Sequence, residues 1–242
     1  MSMKSYKARG IVLHTLKYGD SGMVVYLLTD SGGRQSYMVQ GVRSARGHGS
    51  KLALFQPMFA VEFEGLESSR MQMHRFREVR SGIVLQSLPF DVRKSTIALF
   101  MAEVLYRLVK CEPNQRLFDF VWGSVAALDA LDEGVANFHL WFLTNLSRFL
   151  GFSPGNAYLP GAWFDIREGS FTPLRPSHGE VLSADDARIL HDLLECDVRY
   201  IAEIGLNRRQ RVAYLDALLV YYGYHLDAIH AVQSVRILQE VF

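Results

Sequence analysis

Gly10-Ile11-Val12-Leu13-His14-Thr15, Met23-Val24-Val25-Tyr26-Leu27-Leu28-Thr29 and Gln35 to Val42 follow one another closely. Lys17-Tyr18-Gly19-Asp20-Ser21-Gly22 and Asp30-Ser31-Gly32-Gly33 separate them. Short β-branched and aromatic runs punctuated by glycine-rich turns read as consecutive strands of a meander. Working outward, Arg43 to Ser50 is a Gly/Ser/Arg loop. Phe55 to Glu64 reads as a fourth strand, with Phe59, Val61 and Phe63 alternating with Ala60, Glu62 and Glu64. Glu67 to Val79 reads as a fifth. Five short strands in about 80 residues predict a small closed barrel, because closure removes exposed edges. The OB-fold is the common five-stranded solution.

The periodicity changes after Gly82. Val92 to Lys110, Leu117 to Leu131 and Asn137 to Leu150 carry apolar residues at helical spacing. The third is apolar over most of its circumference, which predicts a central position in a bundle. Gly151 and Pro154 stop it. Residues 151–180 are rich in Gly and Pro, and Trp163 to Phe171 predicts a hairpin turning at Glu168-Gly169. Helices resume at Ser183 to Leu194, opened by a serine cap and two aspartates, and at Arg208 to His225; Val235 to Phe242 ends the chain. The expected fold is therefore α+β: a barrel over 1–81 and an α-helical domain over 82–242, with 151–180 as a hairpin insert.

The 242 residues are 49% hydrophobic and 21% charged, an ordinary globular composition. The net charge of +1 hides an asymmetry. Residues 1–80 hold twelve Lys/Arg and six Asp/Glu, a net of +6, which leaves −5 on the remaining 162. A basic module joined to an acidic one predicts two surfaces with different partners. Cys111 and Cys196 are the two cysteines. Far apart in sequence, they make no disulfide framework and fit a reducing compartment. Met1 to Arg9 has no apolar core behind it, and no stretch approaches the roughly 18 apolar residues of a membrane span. The expectation is a cytoplasmic protein without a membrane or cofactor.

No phosphate-binding glycine loop, nucleophile elbow or zinc-protease motif is present, and the eight histidines assemble no ligand set. Glu103 is a lone acid in an apolar helix, placed to pair with Arg107 four residues on. The positive signal is basic. Arg34, Arg43, Arg46 and Lys51 cluster on or beside one loop. Arg75 and Arg77 alternate on the fifth strand, with Tyr18, Tyr26, Tyr37 and Phe76 interleaved. Phosphate neutralisation with aromatic stacking is how OB-folds hold single strands. At this level a solvated charged face over an aromatic core explains the same residues.

Gly10 to Ser21 resembles the N-terminal signature of the RecO family of recombination mediators, with Asp20 where a glutamate is usual. Leu27-Leu28-Thr29 with Gly32-Gly33-Arg34, then Val39-Gln40-Gly41-Val42-Arg43 and Phe55-Gln56-Pro57-Met58, are similar to the family's next segments in order and spacing. Leu219 to His225 and Ser234 to Phe242 resemble its last helix and tail. The resemblance implies an N-terminal OB-fold, a helical C-terminal domain and no catalytic site. It implies binding of single- and double-stranded DNA, strand annealing, and partnership with RecR. It also implies contact with the acidic tail of single-stranded DNA-binding protein, so that RecA is loaded indirectly. Many members carry a four-cysteine zinc module after the central helices; residues 151–180 here contain no cysteine, so the insert is expected to be metal-free.

An acidic tail with a free carboxylate requires an apolar groove with a basic rim. Tyr106, Arg107 and Lys110 on the first helix, Arg116 beyond Pro113, and Arg148 with Phe149 on the third are the candidates. Scattered surface charges pairing with local acids would explain them equally. Two other functions stay open: an RNA-binding OB-module, and a helical scaffold whose barrel binds only protein.

Overall fold

The computed structural model describes residues 4–20, 22–40, 52–67, 73–155 and 157–242. Strands β1 (Lys4–Tyr18), β2 (Gly22–Thr29), β3 (Gly33–Val39), β4 (Ala60–Glu67) and β5 (His74–Ser81) close a barrel in the order β1-β2-β3-β5-β4. β1 serves two neighbours: Lys4 to Ile11 pair with β4, and Gly10 to Tyr18 pair with β2. A register shift between Val12 and His14 bends the strand from one partner to the other. The parallel pairing of β3 with β5 closes the ring; among the described residues Tyr37 pairs with His74 and Met38 with Arg75.

Val12, Val25, Leu27, Tyr37, Phe55, Val61 and Phe63 fill the interior. Tyr37 is wholly buried. Its hydroxyl donates to Gln35 Oε1 at 3.0 Å and lies 2.9 Å from the Tyr6 hydroxyl, which keeps a polar tip satisfied inside an apolar shell.

The fourth strand begins later than its sequence predicts. Phe55 to Phe59 form turns, and Ala60 is the first strand residue. Pro57 supplies a fixed φ, and Met58 takes the left-handed conformation at φ 64. Met58 N–H donates to Val12 O at 2.7 Å, and Val12 N–H donates to Phe59 O at 2.9 Å. The apolar residues of this turn are thereby delivered to the core, which is why their pattern resembles a strand. In the predicted fifth strand, Glu67 belongs to β4, and 68–72 lie outside the described residues.

Helices α1 (Val92–Leu108), α2 (Gln115–Ala130), α3 (Phe138–Leu150), α4 (Ala184–Glu195), α5 (Arg208–His225) and α6 (Val235–Val241) follow. Packing groups the chain differently from a division at 81/82. One compact unit holds 1–91 with 98–129; the other holds 92–97 with 130–242. The reason is visible inside the first unit. Arg9 lies 5.1 Å over the Phe118 ring and 5.4 Å over Trp122, and Tyr106 packs 4.7 Å from His14 and 5.1 Å from Tyr26. These contacts tie α1 and α2 to barrel strands.

In the second unit α3 is central, as its composition predicts: Phe138, Leu140, Phe142, Leu143 and Leu146 are fully buried. Two of its buried polar residues find partners: Thr144 Oγ1 lies 3.1 Å from the Tyr214 hydroxyl, and Asn145 Nδ2 donates to Leu193 O at 3.1 Å. Burial, then the charge of Arg211, drives the His139 imidazole down to about 3, so it stays neutral. Strands β6 (Trp163–Asp165) and β7 (Ser170–Thr172) form the expected hairpin, and β8 (Val181–Leu182) adds a third strand beside β6. Rings of the 151–180 segment reach α5, where Phe164 meets Tyr221 at 5.9 Å, and α4, where Tyr158 stacks on His191 at 4.4 Å. Asp165 pins the turn by accepting from Arg167 N–H and Glu168 N–H at 2.9 and 3.1 Å. Among the described residues no group of His, Cys, Asp and Glu is placed to hold a metal ion. No described helix is long and apolar enough to cross a membrane.

Candidate nucleic-acid interface

Alternation along β1, β4 and β5 places Lys7, Arg9, Glu62, Glu64, Glu78 and Arg80 on the outer face of the barrel. There they line a groove of about 580 Å³ with Asp30 and Arg77. Its charges cancel. Arg77 Nη1 lies 2.9 Å from Glu64 Oε1, and Arg80 Nη2 lies 2.6 Å from Glu62 Oε2. A hydrogen bond from Ser5, then the Arg77 guanidinium, holds the Glu64 carboxyl below its usual range. Arg9 Nε donates to Asp30 Oδ2 at 3.2 Å. Four cations facing four carboxylates make a poor lure for phosphate, whatever the count of arginines.

The six expected DNA contacts therefore separate. Arg43, Arg46 and Lys51 lie outside the described residues. Arg34 serves the fold: its guanidinium donates to Tyr106 O and sits 5.2 Å over the Tyr106 ring, and its N–H donates to Lys110 O at 3.0 Å. Arg77 is engaged by Glu64. Arg75 differs. Its Nε is shielded from solvent and finds no hydrogen-bond partner among the described residues.

Arg75 also ends a row. Leu16 pairs with Val24, Val24 with Met38, and Met38 with Arg75, one outward-facing line across four strands. Beyond the row, Lys17 and Tyr18 project from the β1–β2 hairpin, with Tyr18 55% and Leu16 45% exposed. The other end of this face is covered, since Tyr26 and His14 lie under Tyr106. Burial, then the charge of Arg107, lowers the His14 imidazole. Val24 in the middle of the row is buried, so the row is open at Leu16 and Tyr18 on one side and half-buried at Met38 and Arg75 on the other. Sequence reading named Tyr18 and Arg75 but not Leu16 or Met38, because the Val12/His14 register shift decides which residues share the row and leaves no mark in composition.

The six candidates for tail capture divide as well. Tyr106, Arg107, Lys110 and Arg116 belong to the first unit, Arg148 and Phe149 to the second. Arg107 lies 3.9 Å from Glu103, the pairing that i,i+4 spacing predicts, and 6.0 Å over Tyr106. Lys110 and Arg116 are exposed. Arg148 Nη2 donates to Leu194 O at 2.7 Å and approaches Glu195 at 3.9 Å. The second unit also carries a groove of about 1050 Å³ lined by Asp185, Asp192, Glu195, Asp197 and Glu203 around Arg188. That sign disfavours both nucleic acid and an acidic tail. Burial, then the charges of Asp197, Glu203 and Asp192, pushes the Cys196 thiol up and keeps it protonated.

A closed five-stranded barrel with this strand order, followed by a helical region, defines an OB-type barrel protein with a helical C-terminal extension. Sequence comparison is more specific. Residues 3–83 match the family model for the recombination protein O N terminal region, and residues 89–231 match the model for its C terminal region. The chain is similar to the DNA repair protein RecO of Bacteroides fragilis, at 38% identity over 239 residues and 98% of both chains. It is 36% identical over 238 residues to that of Phocaeicola vulgatus, and 31% over 237 residues to that of Flavobacterium psychrophilum, again with 98% of both chains covered. The chain belongs to the RecO family of DNA repair proteins.

Proposed function

We propose that this protein is a recombination mediator in DNA repair. It binds single- and double-stranded DNA, anneals strands and, with RecR, helps load RecA onto strands covered by single-stranded DNA-binding protein. The family match across both halves of the chain carries this reading. The row that runs from exposed Leu16 and Tyr18 to Met38 and Arg75 supports it physically, because it sets a phosphate ligand and an exposed aromatic ring on one face of the barrel. Arg43, Arg46 and Lys51 are further proposed phosphate contacts, while Arg34 and Arg77 contribute less because each is already engaged. The proposed role is stoichiometric binding rather than catalysis, in the cytoplasm and at the nucleoid, with neither metal nor cofactor.

Tyr106, Arg107, Lys110 and Arg116 are the proposed tail-binding residues, with Arg148 and Phe149 as secondary candidates. Peptide binding is best tested on the whole chain, since most of α1 and α2, residues 98–129, belongs to one unit with the barrel. The test of the main reading is a gel shift of single-stranded DNA over a salt series, with and without RecR. Neutralising four to six phosphates would give a slope of log affinity against log salt of about −0.7 per phosphate. A slope that stays flat in the triple variant Arg43→Gln, Arg46→Gln, Lys51→Gln and in the parent alike would refute it.

A further inference from the structure

Among the described residues the seam between β3 and β5 has the fewest paired residues of the barrel wall, two pairs. Where the strands part, Met38, Gln40, Phe55, Arg75 and Phe76, with the opposed charges of Arg77 and Glu78, line a pocket of about 190 Å³. That is below the roughly 300–1,000 Å³ of sites that enclose a drug-sized ligand, so the space suits one small ring system. Its aromatic wall is rigid: Phe76 stacks on Tyr37 at 4.7 Å and on Phe55 at 5.6 Å. At the rim, Arg75 Nε has no acceptor among the described residues, whereas neighbouring Arg77 is held by Glu64. A shielded cationic donor without an acceptor is costly, and a phosphate oxygen supplies one. Gln40, exposed where β3 ends, offers a donor and an acceptor on one amide, the pairing that reads a base edge.

We infer that this pocket receives one unstacked base of single-stranded DNA, against Phe76 and Met38, with Gln40 at the base edge and Arg75 on the adjoining phosphate. The inference rests on the DNA-binding reading above and narrows it. A base held in a duplex is stacked on both faces and cannot enter, so the pocket serves the single strand.

The test uses the full-length protein and two labelled oligonucleotides of equal length, oligo(dT) and a strand of the same backbone carrying abasic sites. The parent protein should prefer the base-bearing strand by about tenfold, the scale of one stacked base. Gln40→Ala and Phe76→Leu should each reduce that ratio toward one. Gln40 is exposed, so its variant remains informative if Phe76→Leu melts early. Equal binding of both strands by the parent, or a parent-like ratio in Gln40→Ala, overturns the pocket while leaving DNA binding intact. A parent that binds neither strand overturns the DNA-binding reading and the pocket together.

Discussion

Two stretches of one strand, a few residues apart, carry the same side chain to opposite ends. Arg77 and Arg80 on β5 face Glu64 and Glu62 on β4, and their charge is spent within the barrel wall. Arg75, on the other side of a register shift, pairs with Met38 and Leu66, and its Nε finds no hydrogen-bond partner among the described residues. Register, rather than the number of arginines, decides which cations are available to a ligand. The +6 of the first 80 residues therefore overstates the attraction of the outer β4–β5 face.

The comparison extends to Arg34, whose role is structural, and the largest effect is expected beside it. Gly33 has φ +66, and a Cβ there would stand 2.3 Å from Glu112 O. Gly33→Val should cost about 3 kcal/mol from the left-handed backbone alone. That lowers the melting temperature by roughly 6–12 °C for a chain of this size; an unchanged melt would mean that residue 33 is not held in the left-handed conformation. Arg34→Ala should cost about 1.5–3 kcal/mol, the range for hydrogen bonds from a charged group. Its salt slope for DNA should stay at the parent value, and a flattened slope in a protein of normal stability would return Arg34 to the phosphate contacts. Glu62→Gln and Glu64→Gln together release two cations, so single-strand affinity should rise about two- to fivefold at low salt, as for partly screened surface pairs. A fall would mean that the acids themselves orient the contact. The smallest effect is expected in the second unit, where packing and Asp165 hold the hairpin: washing with a strong zinc chelator should leave the melting temperature unmoved, and a drop would expose a structural metal.

Much of the architecture was legible in the residues. Glycine turns and β-branched runs mark β1 to β3, and a 3.6-residue period marks the long helices, with α5 running from Arg208 to His225 in sequence and structure alike. What was not legible depends on partners far away in the chain. Phe55 to Phe59 pattern like a strand because a turn also buries them, and only the positive φ of Met58 shows the difference. Arg34 reads as a loop cation because its acceptor on Tyr106 lies 72 residues on. The tail-binding candidates sit at helical spacing as read, but sequence spacing cannot say that Arg107 and Arg148 fall in different packing units.

The most direct test sets Arg75 against Arg80, two arginines of one strand. Single-strand affinity should be measured over a salt series for Arg75→Gln, Arg80→Gln and the parent. Arg75→Gln should reduce the slope by about 0.7, one phosphate's worth on a single strand, while Arg80→Gln should leave it at the parent value. Equal slopes in the two variants, or a loss confined to Arg80→Gln, would contradict this.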